Sequence, residues 1–377
     1  MRVLLSGTFG DHQVQLANVL SRSEQMMVLV PYSGVPDVLR AQVKGDYRIE
    51  AFGRGRRLRR PEVIASIWET LRIVRMFKPD LIHMELVGHL PDLALLPLFS
   101  RYPIVVTFHD VTMHYGEESL KSSIIRWMVR RKARMIIVHG QRLKETLIRN
   151  YRVPADKVEV IPLGAPELEQ FRRYERIDIR EEWPMVLFFG RIHRYKGLEY
   201  LISAEPMIAK QFPNVRIFIA GTGEDFARYR EMMAGREDRF VVLNRHIPSD
   251  EGAELFQKCS VVVLPYAEGS QSGVIPIAYY FKKPVVVTDV GSLSEVVRDG
   301  ETGLVVPPKD PKALAEALVR LLGNGDLRRR MGERGRYMLE TDLGWEGIAA
   351  KTKSVYERAI KSSRKGDPRR PEGIELS

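Results

Sequence analysis

The stretch at residues 265–289, PYAEGSQSGVIPIAYYFKKPVVVTD, constrains the fold more than any other part of this chain. An apolar run, residues 260–264, precedes it and reads as a buried parallel strand that Pro265 ends. A loop of small residues follows, Glu268-Gly269-Ser270-Gln271-Ser272-Gly273, and then a mostly apolar helix over residues 274–281. Pro276 fits the first turn of that helix, where no backbone N–H is needed, so the helix starts near Ser272 with Ser272 or Ser270 as cap. Its free N–H groups and positive dipole end then point over the carboxyl end of the strand, a place for an anion and for phosphate above all. Lys283-Pro284 closes the helix, and Val285-Val286-Val287-Thr288 is the next strand. Together these make a phosphate-cradling βαβ unit.

The chain has 377 residues, too many for one ordinary core. Strands alternate with helices throughout, which predicts two doubly wound α/β domains. Residues 1–165 form the first, with strands at 2–5, 26–30, 80–83, 102–109, 135–138 and 158–161. Residues 166–184 are charged, bounded by prolines and without apolar periodicity, and read as a linker. Residues 185–345 form the second domain, with strands at 185–189, 215–220, 240–243, 260–264, 285–288 and 304–306. Residues 346–362 are an amphipathic helix expected to return to the first domain, and 363–377 a disordered tail.

Composition excludes several classes. No apolar run is long enough to span a bilayer, and Met1 leads almost at once into Val3-Leu4-Leu5, a strand rather than an export signal. The one cysteine, Cys259, excludes an internal disulfide and a cysteine-built metal site, and its place beside a strand reads as core packing. These features fit a cytoplasmic protein. The net charge of +11 suits nucleic acid, anionic lipid or phosphorylated metabolites. Nucleic acid is disfavoured, because the basic residues lack interleaved aromatic platforms. Two basic elements stand out in the first domain: residues 54–60, RGRRLRR, and residues 122–134, SSIIRWMVRRKAR. In the second, Ile124, Ile125, Trp127, Met128 and Val129 can share one helix side, as in a helix lying on an anionic membrane face or one packed on a core.

Candidate site residues lie at strand ends, where open α/β sheets place ligands. His109 and Asp110 end strand 102–109. Gly10, in the first glycine turn, serves either close ligand approach or a tight turn. In Gly190-Arg191-Ile192-His193-Arg194-Tyr195-Lys196-Gly197, Arg191 and Lys196 project where a helix begins, which suits a diphosphate. Gly221-Thr222-Gly223 after a strand hints at dinucleotide binding. The third glycine is missing, though, and Asn244 stands where an acidic residue belongs.

With these residues placed, the chain resembles the family 4 glycosyltransferases, which have the GT-B fold. The matching stretches are FFGRIHRYKGLEYLI, IAGTGED, VVVLPYAEGSQSGV, KPVVVTDVGSLSEVVRDGETGLVVPPKD and VIPLGAP, in family order, with a looser match through VVTFHD and the opening strand and turn. The resemblance implies a retaining, metal-independent, hexosyltransferase-type enzyme that uses a nucleotide sugar, UDP- or GDP-linked, and no other cofactor. It implies a sugar, glycan or lipid-linked acceptor and, with the basic elements, a place at the inner membrane face. Arg191 and Lys196 match the family's pair on the donor diphosphate. Glu268 matches the acidic residue at the donor sugar, and His109 the strand-end histidine facing it. The amides of Ser272 and Gly273 match those that hold the distal phosphate, with Ser270 and Gln271 in the same loop. Many relatives carry a second glutamate that binds the ribose, and here Pro276 or Ile277 takes its place. A subgroup shares this glutamine-serine-glycine-valine loop. Glu295 occupies a usual family position and reads as structural. The alternatives are a non-catalytic binder of sugar nucleotides and, less well supported, a dinucleotide-dependent oxidoreductase.

Overall fold

A computed structural model describes residues 1–7, 10–31, 39–52, 60–86, 96, 99, 101–111, 120–165, 168–223 and 226–365. Residues 54–59 of the first basic element and 366–377 of the expected tail lie outside that set.

Two parallel sheets organise the chain. The first runs β3-β2-β1-β4-β5-β6-β7. Its strands are β1 (Arg2–Gly7), β2 (Gln25–Pro31), β3 (Arg48–Phe52), β4 (Leu81–Leu86), β5 (Ile104–Phe108), β6 (Met135–Val138) and β7 (Val158–Val160). Helices α1 (Gly10–Leu20), α2 (Arg60–Phe77), α3 (Leu120–Lys132) and α4 (Gln141–Tyr151) connect them. After the short helix α5 (Glu169–Arg172), the second sheet runs β10-β9-β8-β11-β12-β13. Its strands are β8 (Met185–Phe189), β9 (Arg216–Gly221), β10 (Phe240–Asn244), β11 (Val261–Leu264), β12 (Val285–Thr288) and β13 (Gly303–Val306). Between and after them come α6 (Leu198–Ala209), α7 (Ala227–Met233), α8 (Ser249–Lys258), α9 (Val274–Tyr280), α10 (Leu293–Val296), α11 (Pro311–Leu322) and α12 (Gly325–Thr341). The last helix is α13 (Trp345–Lys365).

The two doubly wound domains expected from the alternation are therefore present. Strands such as β5, β6 and β11 are buried at every residue, because helices cover both faces of a parallel sheet. Cys259 is fully buried, as core packing requires. Three expectations need correction. β3 went unread because Arg-Ile-Glu-Ala-Phe alternates charge with apolar residues and lacks a β-branched run. Residues 166–184 are more than a linker, since Phe171 buries itself against Phe256 and Phe281 of the second domain. The apolar residues of α3 do not share one side: Ile125 and Val129 are buried, whereas Ile124 and Trp127 are 55% and 52% exposed.

The final helix lies against the first domain. Ile348, Ala349, Val355, Tyr356 and Ala359 join the cluster of Val3, Leu5, Val14 and Leu16 under α1. The Tyr356 hydroxyl bonds His83 Nδ1 of β4 at 2.7 Å. In each sheet the strand order reverses once, between β1 and β4 and between β8 and β11. The crevices at the carboxyl ends of those pairs are the natural ligand positions.

Candidate functional site

The second sheet's crevice is walled by the turn after β8 and the loop after β11. Gly197 closes the first wall in the left-handed region, at φ 67°. A Cβ there would stand 1.9 Å from the Pro265 carbonyl oxygen, so only glycine lets this turn press on the end of β11. That contact carries Lys196 over the loop: its ammonium sits 3.7 Å from the centre of the buried Tyr266 ring. Arg191, exposed, donates to the Tyr195 hydroxyl at 3.1 Å. Neither cation has a carboxylate within ion-pair distance among the described residues. Burial, and then the like charge of Arg191, push the Lys196 ammonium down to about 7, against a smaller upward pull from Asp110. Among the described residues, Asp110 is the one carboxylate whose charge is felt at Lys196, and it lies beyond ion-pair distance.

The loop after β11 supplies the second wall. The Ala267 and Glu268 amides donate to the Tyr195 carbonyl at 2.8 and 3.3 Å, which ties the two walls together. The Glu268 side chain is exposed beside a cavity of about 340 Å³ shared with His193, Tyr195, Tyr200 and Lys309. Ser270 is buried, and Gln271 is half-buried. The helix start differs slightly from expectation: α9 begins at Val274 with Gly273 as N-cap and no capping bond from that residue's side. The Ser272 hydroxyl accepts from the Val274 amide at 3.3 Å and pairs with the Tyr266 hydroxyl at 2.9 Å. Pro276 falls in the first turn as expected, and a Cβ built on Gly273 would meet nothing within 4 Å, so this end of α9 is open. Pro276 and Ile277 are both buried.

The first domain presents His109 at the carboxyl end of β5, 2% exposed. Its ring belongs to a buried polar cluster that the sequence reading missed. Glu85 of β4 receives His12 Nδ1 at 2.6 Å and stands 3.6 Å from His109 Nε2. His139, after β6, donates from Nδ1 to the Ile161 carbonyl at 3.0 Å, and its Nε2 lies 3.1 Å from His109 Nδ1. The two imidazoles hold the fully buried Glu85 carboxyl well below the usual carboxylate range despite desolvation. Ligand atoms of His12, Glu85 and His109 lie within 4.8 Å of one another, a set that could bind a small cation. A carboxylate two residues after a histidine within the Leu-Ile-His-Met-Glu-Leu strand was the available signal.

Gly10 opens α1 near this cluster, and a Cβ there would lie 2.4 Å from Leu39 Cδ1, so its small size serves packing on Leu39. Arg126 of α3, read as part of a basic surface, is buried and donates to the Asp110 carbonyl at 2.5 Å. It thus holds the turn that carries His109. The glycines of Gly221-Thr222-Gly223 are used for close approach to the neighbouring loop. Their Cβ atoms would stand 1.8 Å from the Gly190 and Ile192 carbonyl oxygens. No dinucleotide cradle is needed to explain them.

The carboxyl ends of the two sheets face each other. Asp110 is near enough to Lys196 to favour its charged form, and the turn after β6 meets the turn after β12 at Gly140 and Ser292. The structure thus brings Arg191, Lys196 and Ser272 together around Tyr195 and Tyr266, with Ser270 and Gly273 in the same loop, leaves the exposed Glu268 side chain at the neighbouring cavity beside His193, and sets the His109 turn opposite.

Comparison with known proteins follows the same division. The family described as Glycosyltransferase Family 4 matches residues 12–166, and that described as Glycosyl transferases group 1 matches residues 183–324. A phosphatidyl-myo-inositol mannosyltransferase of Mycobacterium leprae is 30% identical over 95% of this chain and 95% of its own. An uncharacterised glycosyltransferase of Methanocaldococcus jannaschii is 28% identical over 77% of this chain and 78% of its own. Among solved structures, sucrose-phosphate synthase from Thermosynechococcus elongatus superposes with a TM-score of 0.74 at 20% identity, covering 96% of this chain and all of its own. Anabaena HepE in complex with UDP and glucose gives 0.72 at 15% identity, over 95% of this chain and 99% of its own.

Proposed function

The chain belongs to glycosyltransferase family 4, with the GT-B fold, and from that premise we propose that it is a retaining, metal-independent transferase using a nucleoside-diphosphate sugar. One observation carries the reading: Arg191 and Lys196 stand together at the crevice between β8 and β11 with no carboxylate within ion-pair distance among the described residues, and burial lowers the Lys196 ammonium to about 7. A diphosphate supplies the missing charge. HepE, similar in fold, was solved with UDP and with UDP-glucose, which favours this ligand class.

The chemistry follows from the charges. The bond between the anomeric carbon and the phosphate oxygen breaks, leaving positive charge on the sugar and negative charge on the diphosphate. Arg191 and Lys196 stabilise the second, each by roughly 3–4 kcal/mol in a closed cleft. The amides of Ser272 and Gly273 hold the distal phosphate at the open end of α9. Glu268 and His109 flank the sugar from the two domains. The acceptor oxygen bonds the anomeric carbon on the face the phosphate leaves, and its proton passes to a phosphate oxygen. Fixed cations fill the role a metal ion would play, so chelation should leave turnover intact. With Pro276 and Ile277 buried, the ribose must be held by other groups than the second glutamate of many relatives.

The acceptor reading is a lipid-linked or polysaccharide precursor at an anionic membrane face. Its support is the outer surface of the first domain, where Trp68 and Met76 of α2 are 62% and 70% exposed beside Arg72 and Arg75, and Ile124 and Trp127 of α3 are exposed beside Arg131. The Mycobacterium leprae relative is named for a phosphatidylinositol acceptor. Among the described residues, no helix is long and apolar enough to cross a membrane.

The test is a thermal-shift screen against UDP, GDP, ADP and their sugar conjugates, followed by product analysis. A nucleotide at about 100 times its dissociation constant adds roughly 2.7 kcal/mol of stability. Lys196→Ala should remove most of that stabilisation and lower turnover about 10²-fold or more. Unchanged turnover in this variant removes the phosphate role from Lys196. Stabilisation without any product from a full acceptor panel favours the non-catalytic binder, which the apolar Pro276 and Ile277 keep in view.

A further inference from the structure

We propose that Glu295 and the Gly140–Ser292 contact are positioning elements of the transfer reaction, a cross-domain latch that sets the donor loop against His109. The inference rests on the transferase reading above.

Helix α4 has no side-chain cap of its own, because its N-cap is Gly140. Glu295, in α10 of the other domain, does that work: its carboxylate accepts the Gln141 amide at 2.5 Å and the Arg142 amide at 2.8 Å. Arg142 also pairs with Asp289 at 2.7 Å. Inside this exposed rim the Gly140 backbone meets the Ser292 side chain. Gly140 is buried, and a Cβ on it would stand 1.9 Å from the hydroxyl oxygen of Ser292, which is fully buried. The Gly140 φ of −173° is ordinary extended backbone that any residue adopts. Only the other domain requires glycine here.

Both partners of this contact lead directly to the site. The Ser292 amide donates to the Ser270 carbonyl at 2.8 Å, and a Cβ on Gly291 would meet the Gly269 carbonyl oxygen at 2.0 Å, so the turn after β12 holds the loop that carries Glu268. Gly140 follows His139, which bonds His109. The latch therefore joins the donor loop to the His109 turn through adjacent residues. If the domains separate here, the diphosphate site stays whole within the second domain while His109 moves away from it.

A size exchange tests this in the full chain. Gly140→Ala should lower kcat on the order of 10²-fold, leave the nucleotide dissociation constant within about twofold, and enlarge the radius of gyration in solution scattering. Ser292→Gly opens the space again, so the double variant should recover most of the turnover and the compact scattering profile. Glu295→Ala should lower kcat with the same unchanged nucleotide affinity, and Glu295→Gln, which keeps one acceptor oxygen, should lower it less. Wild-type kcat in Gly140→Ala overturns the latch, as does parallel loss of nucleotide binding or failure of Ser292→Gly to restore. The unaltered chain is the control: no turnover by it overturns the transferase reading instead, and the scattering of the variants still decides whether the contact holds the domains together.

Discussion

Lys196 is where the electrostatics of the site can be read directly. Burial and Arg191 lower its ammonium to about 7, against about 10.4 in an unfolded chain. A bound diphosphate reverses that, so above neutrality donor binding must take up a proton. Donor affinity should be flat below about pH 7 and weaken by up to about tenfold per pH unit above it. The ligand-free fold responds in the opposite direction. Between about 7 and 10.4 the unfolded chain binds the extra proton, so the Lys196 contribution to stability rises with pH. Lys196→Met isolates both effects: its nucleotide affinity should lose the slope above pH 7, and its stability should gain on the wild type as pH falls toward 7. A wild-type slope that survives in the variant assigns the pH dependence elsewhere. Arg191 and Lys196 were legible in the sequence because they sit at fixed positions after an apolar strand. The Glu85 cluster was not, since its members come from β4, from α1 and from the turns after β5 and β6. Only the sheet order brings them together.

Helix α3 shows how an element can carry two faces that a periodicity count merges. Ile125 and Val129 pack into the core beside Phe108 and Ile136, and Arg126 turns inward to the Asp110 carbonyl. Ile124 and Trp127 point the other way, with the Arg131 guanidinium 5.3 Å over the indole. One turn of sequence thus contains a core contact, a support for the His109 turn and an exposed amphipathic patch. The apolar residues alone could not say which of them faced solvent, because neighbours at one-residue spacing diverge by about 100° around a helix. Exposed Trp with adjacent Arg suits the headgroup level of a bilayer. Sedimentation with vesicles rich in anionic lipid should therefore show binding that falls as salt rises. Trp127→Ser with Ile124→Ser should weaken that binding about tenfold or more and leave the thermal midpoint and nucleotide affinity unchanged. Binding by the double variant equal to wild type removes this face from the membrane reading.

The whole molecule is not two domains in sequence order, because α13 follows the second domain and completes the first. The amphipathic pattern of residues 346–362 shows that one face is buried, and nothing in the pattern names the surface that buries it. In the structure Trp345 begins the crossing, with its indole N–H donating to the Ala165 carbonyl at 2.9 Å and its ring packed against His12 at 5.0 Å. Ile348, Val355 and Tyr356 are then buried in the first domain, and Tyr356 satisfies His83, whose imidazole burial pushes down to about 4. Burying three large apolar side chains contributes about 1.5–3 kcal/mol each, and an orphaned His83 nitrogen costs about 1–3 kcal/mol more. The sum is comparable to the whole stability of a domain, about 5–15 kcal/mol. A chain ended after residue 344 should thus lose the cooperative unfolding transition of the first domain while the second keeps its own, with its nucleotide-induced thermal shift intact. Adding the 345–365 segment as a separate peptide should restore protection of the first domain against proteolysis. Tyr356→Phe, which removes only the hydroxyl, should lower the thermal midpoint of the first domain alone. If the shortened chain instead unfolds as the full one does, the first domain stands without α13, and the helix serves to tether the domains rather than to complete a core.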